Sequence, residues 1–130
     1  MYAELISPER VAFQGEVKLV VLPGVEGDMT ILPGHAPLVT VLRAGMIFAM
    51  DAHGQPRRAF TLHGIAEVTT TKVTILSDRV LTVEELTKDR IHQEITYLRI
   101  SQDKAESESA RAQIDYTISQ LEEFLASMDI

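Results

Sequence analysis

The sequence predicts an α+β fold, with an antiparallel all-β sandwich or barrel over residues 1–81 followed by an antiparallel two-helix hairpin over residues 82–130. Three observations predict it. Short strand-like runs are punctuated by Gly and Pro turn pairs in the first part, the apolar period changes from two to 3.6 after Thr82, and neither Pro nor Gly occurs beyond Gly64.

The strand-like runs begin with Tyr2-Ala3-Glu4-Leu5-Ile6 and continue at 17–22, 38–42, 46–50, 58–62, 65–70 and 73–76. Between them Pro23-Gly24, Gly27-Asp28, Pro33-Gly34, Ala44-Gly45 and His53-Gly54 offer a fixed φ or an accessible positive φ where the chain must reverse. The helical part opens on Thr82-Val83-Glu84-Glu85, a capping-box pattern. Ile91, Ile95 and Leu98 then form one apolar stripe, and Ile114, Ile118, Leu121, Leu125 and Met128 form another. Ser101-Gln102-Asp103 is expected to join the two helices, with Asp103 and Glu106 in cap spacing. So short a joint favours antiparallel packing.

Composition narrows the function. With 130 residues, 45% of them hydrophobic, the chain can bury a core without staples. The absence of cysteine removes disulfides, thiolate metal sites and thiol nucleophiles together. A net charge of −7 without a Lys/Arg cluster argues against nucleic acid and against an acidic membrane surface. No run approaches the roughly 20 apolar residues of a membrane helix, and Met1 leads directly into a strand, so the chain is expected to be soluble, unprocessed and without lipid insertion. Residues 1–81 hold 8 acidic and 7 basic residues, whereas residues 82–130 hold 11 and 5, which places the negative charge in the hairpin.

Candidate chemistry is sparse. His35, His53 and His63 fall in the β part and His92 in a helix, but no pair is two apart on a strand or four apart on a helix, so no metal bite is preset and no metal or cofactor is expected. His53 reads as a turn residue, His63 as a strand or bulge residue, and His92 as an exposed helix position. A jelly-roll enzyme using His35 and His63 is the weakest reading. There is no Gly-x-Ser-x-Gly elbow, and the carboxylate pairs Glu26 with Asp28 and Glu84 with Glu85 are explained by turns and a helix first turn. Gly24-Val25-Glu26-Gly27 joins strands and lacks the Lys of a phosphate loop. The segment between the two Pro-Gly pairs stands out instead: Met29, Ile31 and Leu32 beside Glu26 and Asp28 predict an apolar patch with a charged rim, the makeup of a protein contact.

Gly27-Asp28-Met29-Thr30-Ile31-Leu32-Pro33-Gly34-His35-Ala36-Pro37-Leu38 resembles the Glu-Gly-x-x-Gly-Ile-Leu-Pro-Gly-His-Ala-Pro-Leu signature of the epsilon subunits of F-type ATP synthases, counterparts of chloroplast epsilon and mitochondrial delta. The similarity extends through Ile6-Ser7-Pro8-Glu9, Phe13-Gln14-Gly15-Glu16-Val17, Ala44-Gly45-Met46-Ile47, Gly64-Ile65-Ala66-Glu67-Val68 and Val73-Thr74-Ile75-Leu76-Ser77-Asp78. The resemblance implies a flattened sandwich of about ten strands, then a two-helix hairpin. It implies a non-catalytic rotor subunit of the central stalk that binds the gamma subunit and the c-ring and couples proton translocation to ATP synthesis. Such a subunit is peripheral on the cytoplasmic face of the bacterial inner membrane, with the alpha and beta subunits of the catalytic head as further partners.

Carried over by position, the resemblance assigns c-ring contact to Glu26, Asp28, Met29, Ile31 and His35, with Asp28 available to a ring Arg or Lys, and gamma contact to Ser7, Leu38 and Thr40. Thr30 and His63 stand where the family usually has Gly, so local loop or bulge geometry is expected to differ. The nucleotide signature Ile/Leu-Asp-x-x-Arg-Ala of some relatives falls on Leu86-Thr87-Lys88-Asp89-Arg90-Ile91, where Leu86 and Arg90 match but the Asp and Ala are lost. ATP binding is therefore expected to be weak or absent, and Arg90 reads as a solvated helix charge. Beyond Gln102 only Lys104 and Arg111 oppose Asp103, Glu106, Glu108, Asp115, Glu122, Glu123 and Asp129. That sign repels an acidic partner, so inhibition by this hairpin is expected to be weak or absent. A nucleotide-sensing regulatory subunit is the alternative.

Overall fold

The computed structural model describes Met1–Met128. Seven strands come first: β1 (Tyr2–Ser7), β2 (Arg10–Gly24), β3 (Gly27–Ile31), β4 (Leu38–Leu42), β5 (Gly45–Asp51), β6 (Pro56–Val68) and β7 (Lys72–Thr82). A single 3₁₀ turn (Val83–Glu85) and two helices, α1 (Lys88–Lys104) and α2 (Glu108–Ser127), follow. The chain divides into two compact units, Met1–Val83 and a second beginning at Glu84.

Three long strands account for the difference between seven strands and the ten expected. The first part of β2 pairs with β1 and its last part with β5 and β3. The first part of β6 pairs with β5 and its last part with β4. β7 follows β6 along its length and also pairs with β1 through residues 72–76. One leaf therefore reads β4-β6-β7-β1-β2 and the other β3-β2-β5-β6-β7. Counting β2, β6 and β7 once in each leaf recovers ten. One pairing departs from the antiparallel expectation, since β1 runs parallel to β7.

The strands alternate as a sandwich requires. Ala3, Leu5, Val20, Leu22, Ile31, Leu42, Ala66, Val68, Val73 and Ile75 all belong to one buried core. At about 25 cal/mol per Å² of apolar surface removed from water, that alternation is what holds the leaves together. Where β6 slips register on both sides of His63, buried hydroxyls bond the backbone carbonyls of His63 and Arg79. Thr61 Oγ1 and Ser77 Oγ are hydrogen-bonded at 2.7 Å, and Ser77 donates to the Arg79 carbonyl at 2.7 Å. His63 thus sits at a bulge. The β5–β6 loop is closed by Asp51, whose Oδ1 accepts the amides of His53 and Gln55, both at 2.9 Å, while Oδ2 accepts Arg57 Nε at 3.2 Å. The Gln55 amide above all, with the His53 amide and the Arg57 guanidinium, holds the Asp51 carboxyl below its usual range against partial desolvation.

Both expected helix boundaries move. α1 does not start after Thr82, because β7 runs on to it, pairs it with Ala59, and is followed by the 3₁₀ turn. The cap of α1 is Thr87, which accepts the Arg90 amide at 3.2 Å. Ser101, Gln102 and Asp103 are helical rather than a joint, and the connection is 105–107, where Ser107 caps α2 through the Ala110 amide. Antiparallel packing is held at one side by Arg99 with Glu122 at 3.5 Å, and near the joint by Gln102 donating to the Arg111 carbonyl and Arg111 to that of Ala105. Ile91, Ile95, Ile118 and Leu121 are buried, and Ile114, Leu98 and Leu125 are half-buried.

Candidate contact surfaces of the sandwich

The segment between the Pro-Gly pairs is an edge hairpin and not one loop. β2 turns into β3 across Val25-Glu26, with Gly24 opposite Gly27. A Cβ on Gly24 would lie 2.7 Å from the Gly27 carbonyl oxygen, so the two backbones approach only because Gly24 has no side chain. β3 then alternates, with Asp28 and Thr30 exposed, Met29 half-buried and Ile31 fully buried. After it, Leu32-Pro33-Gly34-His35 forms a type II turn: His35 N donates to the Leu32 carbonyl at 3.1 Å, Pro33 fixes the first corner and Gly34 takes φ +84° at the second. Thr30 needs no special backbone, since among the described residues none other than Gly has positive φ. Gly in that position of the family is therefore not a geometric requirement of this chain.

The structure consequently redistributes the expected ring-facing set. Glu26 lies at the hairpin tip and Asp28 beside it, but His35 lies beyond the opposite end of β3, about 17 Å away by strand rise. His35 Nδ1 is 2.7 Å from the Ala36 carbonyl, and neighbouring Gly34 donates to the Thr70 carbonyl. Ile31 is a core residue and Met29 packs against the core, so the expected surface patch of Met29, Ile31 and Leu32 does not form. Only Leu32 of the three is well exposed, and Val25 is exposed at the tip. Asp28 is already paired within the chain, to Arg43 Nη2.

The residues expected to face gamma lie at the end of β1 and along β4. On β4, Leu38 and Thr40 share a face with the buried Leu42, and Leu38 packs against the core. The outward residues of β4 are Val39, 68% exposed, and Val41, 45% exposed. Ser7 is half-buried at the β1–β2 turn, where its hydroxyl donates to the Arg10 carbonyl at 3.4 Å.

Register reveals a surface that the sequence pattern hides. Val41 pairs with Ile65, Ile65 with Leu76, Leu76 with Ile6, and Ile6 with Val11. Directly paired residues share a face, so these five form one row across β4, β6, β7, β1 and β2. Four interstrand spacings make it about 19 Å long. Val41 and Ile65 are each 45% exposed, Leu76 55% and Val11 52%, and Ile6 is half-buried. The adjoining row, Val39-Glu67-Thr74-Glu4-Gln14, is mostly polar and gives the stripe a hydrophilic border.

In the helical unit the matched motif residues are occupied. Leu86 is buried. Arg90 is not a solvated charge: its Nε donates to Oε1 of the buried Glu94 at 3.3 Å, and its Nη2 lies 4.0 Å from Glu85 Oε2. Glu108, Asp115 and Glu122 recur every seven residues along α2. Asp129, which continues that spacing, lies outside the described residues. Among the described residues no group of three or more His, Asp or Glu side chains is placed to hold a metal ion, and no helix is long and apolar enough to cross a membrane.

The family described as "ATP synthase, Delta/Epsilon chain, beta-sandwich domain" matches residues 1–83. The ATP synthase epsilon chain of Maricaulis maris is 37% identical over 113 residues, covering 87% of this chain and 84% of that protein. That of Nitrobacter winogradskyi is 46% identical over 83 residues, covering 64% and 61%. Among solved structures, a chain of the Euglena gracilis mitochondrial ATP synthase OSCP/F1/c-ring assembly superposes with a TM-score of 0.72 at 21% identity, covering 97% of this chain and 79% of that one. A chain of the Tetrahymena thermophila mitochondrial ATP synthase central stalk/c-ring gives 0.66 at 11% identity, covering 96% of each. At those identities the two superpositions speak for the fold.

Proposed function

The chain belongs to the ATP synthase delta/epsilon family, and on that premise we propose that it is a non-catalytic rotor subunit of the central stalk of an F-type ATP synthase. In this reading the sandwich of residues 1–81 binds the gamma subunit and rests on the c-ring, and torque from proton translocation passes through it towards the catalytic head. Residues 82–130 form an accessory hairpin. The complex holds the chain peripherally on the cytoplasmic face of a bacterial inner membrane, with the alpha and beta subunits as further neighbours.

The observation that carries the reading is the outward row Val41-Ile65-Leu76-Ile6-Val11. Five apolar residues aligned across five strands and roughly half exposed are costly to leave in water, and a polar border on one side is the makeup of a partner contact. Gamma is the partner assigned to it, through Val39 and Val41 on β4 rather than Leu38 and Thr40. The c-ring contact is assigned to the hairpin end that carries Glu26 and Asp28, with His35 acting from the other end of β3. Because gamma and the ring would use different parts of the sandwich, both can be bound at once.

The nucleotide-sensing alternative is disfavoured by Arg90, whose guanidinium is taken up by Glu94 and Glu85. Inhibition by the hairpin is disfavoured by its sign, since Glu108, Asp115 and Glu122 line α2 where an acidic partner would have to be approached. The test is ATP-driven proton pumping in membranes stripped of their own epsilon subunit and titrated with this chain. Restored pumping without slowed ATP hydrolysis is expected. No restoration at saturating chain would overturn the rotor assignment.

A further inference from the structure

Arg43 occupies the two-residue connection between β4 and β5, and its surroundings are built around its guanidinium. Its backbone amide donates to the Pro23 carbonyl at 2.9 Å, which seats it beside the last residues of β2. Pro23 is the register partner of Asp28, so the side chain has one more strand to cross and ends on Asp28 Oδ1. Nη1 donates weakly to the Ala44 carbonyl at 3.4 Å. A Cβ on Gly45 would stand 2.9 Å from Nη1 and 2.9 Å from Pro23 Cβ, so only Gly in that position leaves the guanidinium its channel. The Arg43 side chain is 28% exposed, whereas that of Asp28 is 65% exposed.

We propose that Arg43 is a positioning residue that fixes the Asp28 carboxylate at the end of the sandwich for contact with the c-ring. The proposal rests on the ring reading above and adds to it a residue that no sequence motif singled out. β3 is an edge strand, paired only to β2, and the tip Val25-Glu26 carries no other ion pair among the described contacts. Arg43 ties that edge to the β4–β5 connection. Asp28 keeps its Oδ2 and most of its surface for a donor on the partner, as a carboxylate has acceptor capacity for several hydrogen bonds. The ring therefore meets a carboxylate of fixed direction that already holds the Arg43 guanidinium, and Glu26 is the carboxylate at this end without that tie.

The test uses the full chain and four variants: Arg43→Met, Arg43→Lys, Asp28→Asn and the double Arg43→Met/Asp28→Asn. Two readouts are taken, the concentration of chain that half-restores pumping in stripped membranes, and the NMR order of the Gly27 and Asp28 amides in the isolated chain. Arg43→Met and Asp28→Asn are each expected to raise the half-restoring concentration about fivefold, the scale of a well-placed exposed ion pair. The double variant is expected to do no worse than either single variant. Arg43→Lys should recover most of the loss, and the Gly27 and Asp28 amides should loosen in Arg43→Met but not in Arg43→Lys. Additive losses, or amide order unchanged in Arg43→Met, would overturn the positioning role. Loosened amides with pumping untouched in all four variants would instead refute the ring contact at this end.

Discussion

Replacing Ile65 and Leu76 by Thr probes the outward row directly. Both residues are central in the row, paired with one another, and exposed by 45% and 55% in the free chain. Fully burying a Leu or Ile side chain is worth about 1.5–3 kcal/mol, so covering the remaining half of each contributes about 1 kcal/mol. Thr is β-branched, the shape that strands favour, and removes most of the apolar surface. The double variant should therefore lose about 2 kcal/mol of affinity for the gamma subunit, a rise in Kd of about thirtyfold. Isothermal titration of isolated gamma with the full chain measures it. Thermal unfolding of the variant serves as the control, because substitutions at half-exposed positions outside the core shift stability little. An unchanged Kd in a folded double variant would refute the assignment of this face to gamma. A loss of the same size from Leu38→Ala with the row intact would return the contact to the inward side of β4.

Other consequences are as direct. Gly24→Ala must move the Gly27 carbonyl, 2.7 Å from the new Cβ, and should destabilise the sandwich by about 1–3 kcal/mol in denaturant unfolding. Asp51 contributes stability that is fully present above the ordinary carboxylate value, near 4, and is lost as pH falls through its lowered folded value. The unfolding-midpoint gap between the parent and Asp51→Asn should accordingly close on acidification below about pH 4, and a constant gap would show that the carboxylate is not responsible. Titration with MgATP should give no heat at micromolar chain, since Arg90 is engaged by Glu94 and Glu85; micromolar binding would restore the nucleotide-sensing alternative. Thr87→Ala should cost α1 its cap and about 1 kcal/mol, whereas Thr82→Ala should leave the helix start unchanged when amide exchange is followed across 82–91.

Much of the architecture was legible because it depends on local rules. Period two followed by period 3.6 distinguished strands from helices, and Pro33-Gly34 announced a chain reversal at which Gly34 takes a positive φ. The boundaries were less legible. Thr82 has the residues of a capping box, but β7 runs on to it and pairs it with Ala59, and α1 begins only after its own cap, Thr87. Ser101-Gln102-Asp103 reads as a joint on composition, yet Gln102 instead reaches across to the Arg111 carbonyl from within the helix.

The sequence alone determined the class of fold, the family and the sign of the hairpin's charge, since these follow from period, an extended motif and a count of ionisable groups. Only the tertiary structure decided which side of each strand faces outward. In Leu38-Val39-Thr40-Val41-Leu42 both faces are largely apolar, so alternation carries no preference, and the outward side follows from pairing with Ala66 or Ile65 one strand away. The Asp28–Arg43 pair is likewise invisible along the chain, because its members stand fifteen positions apart with a turn and the whole of β4 between them. A row of side chains across five strands is a property of register, and register is fixed by which faces bury together.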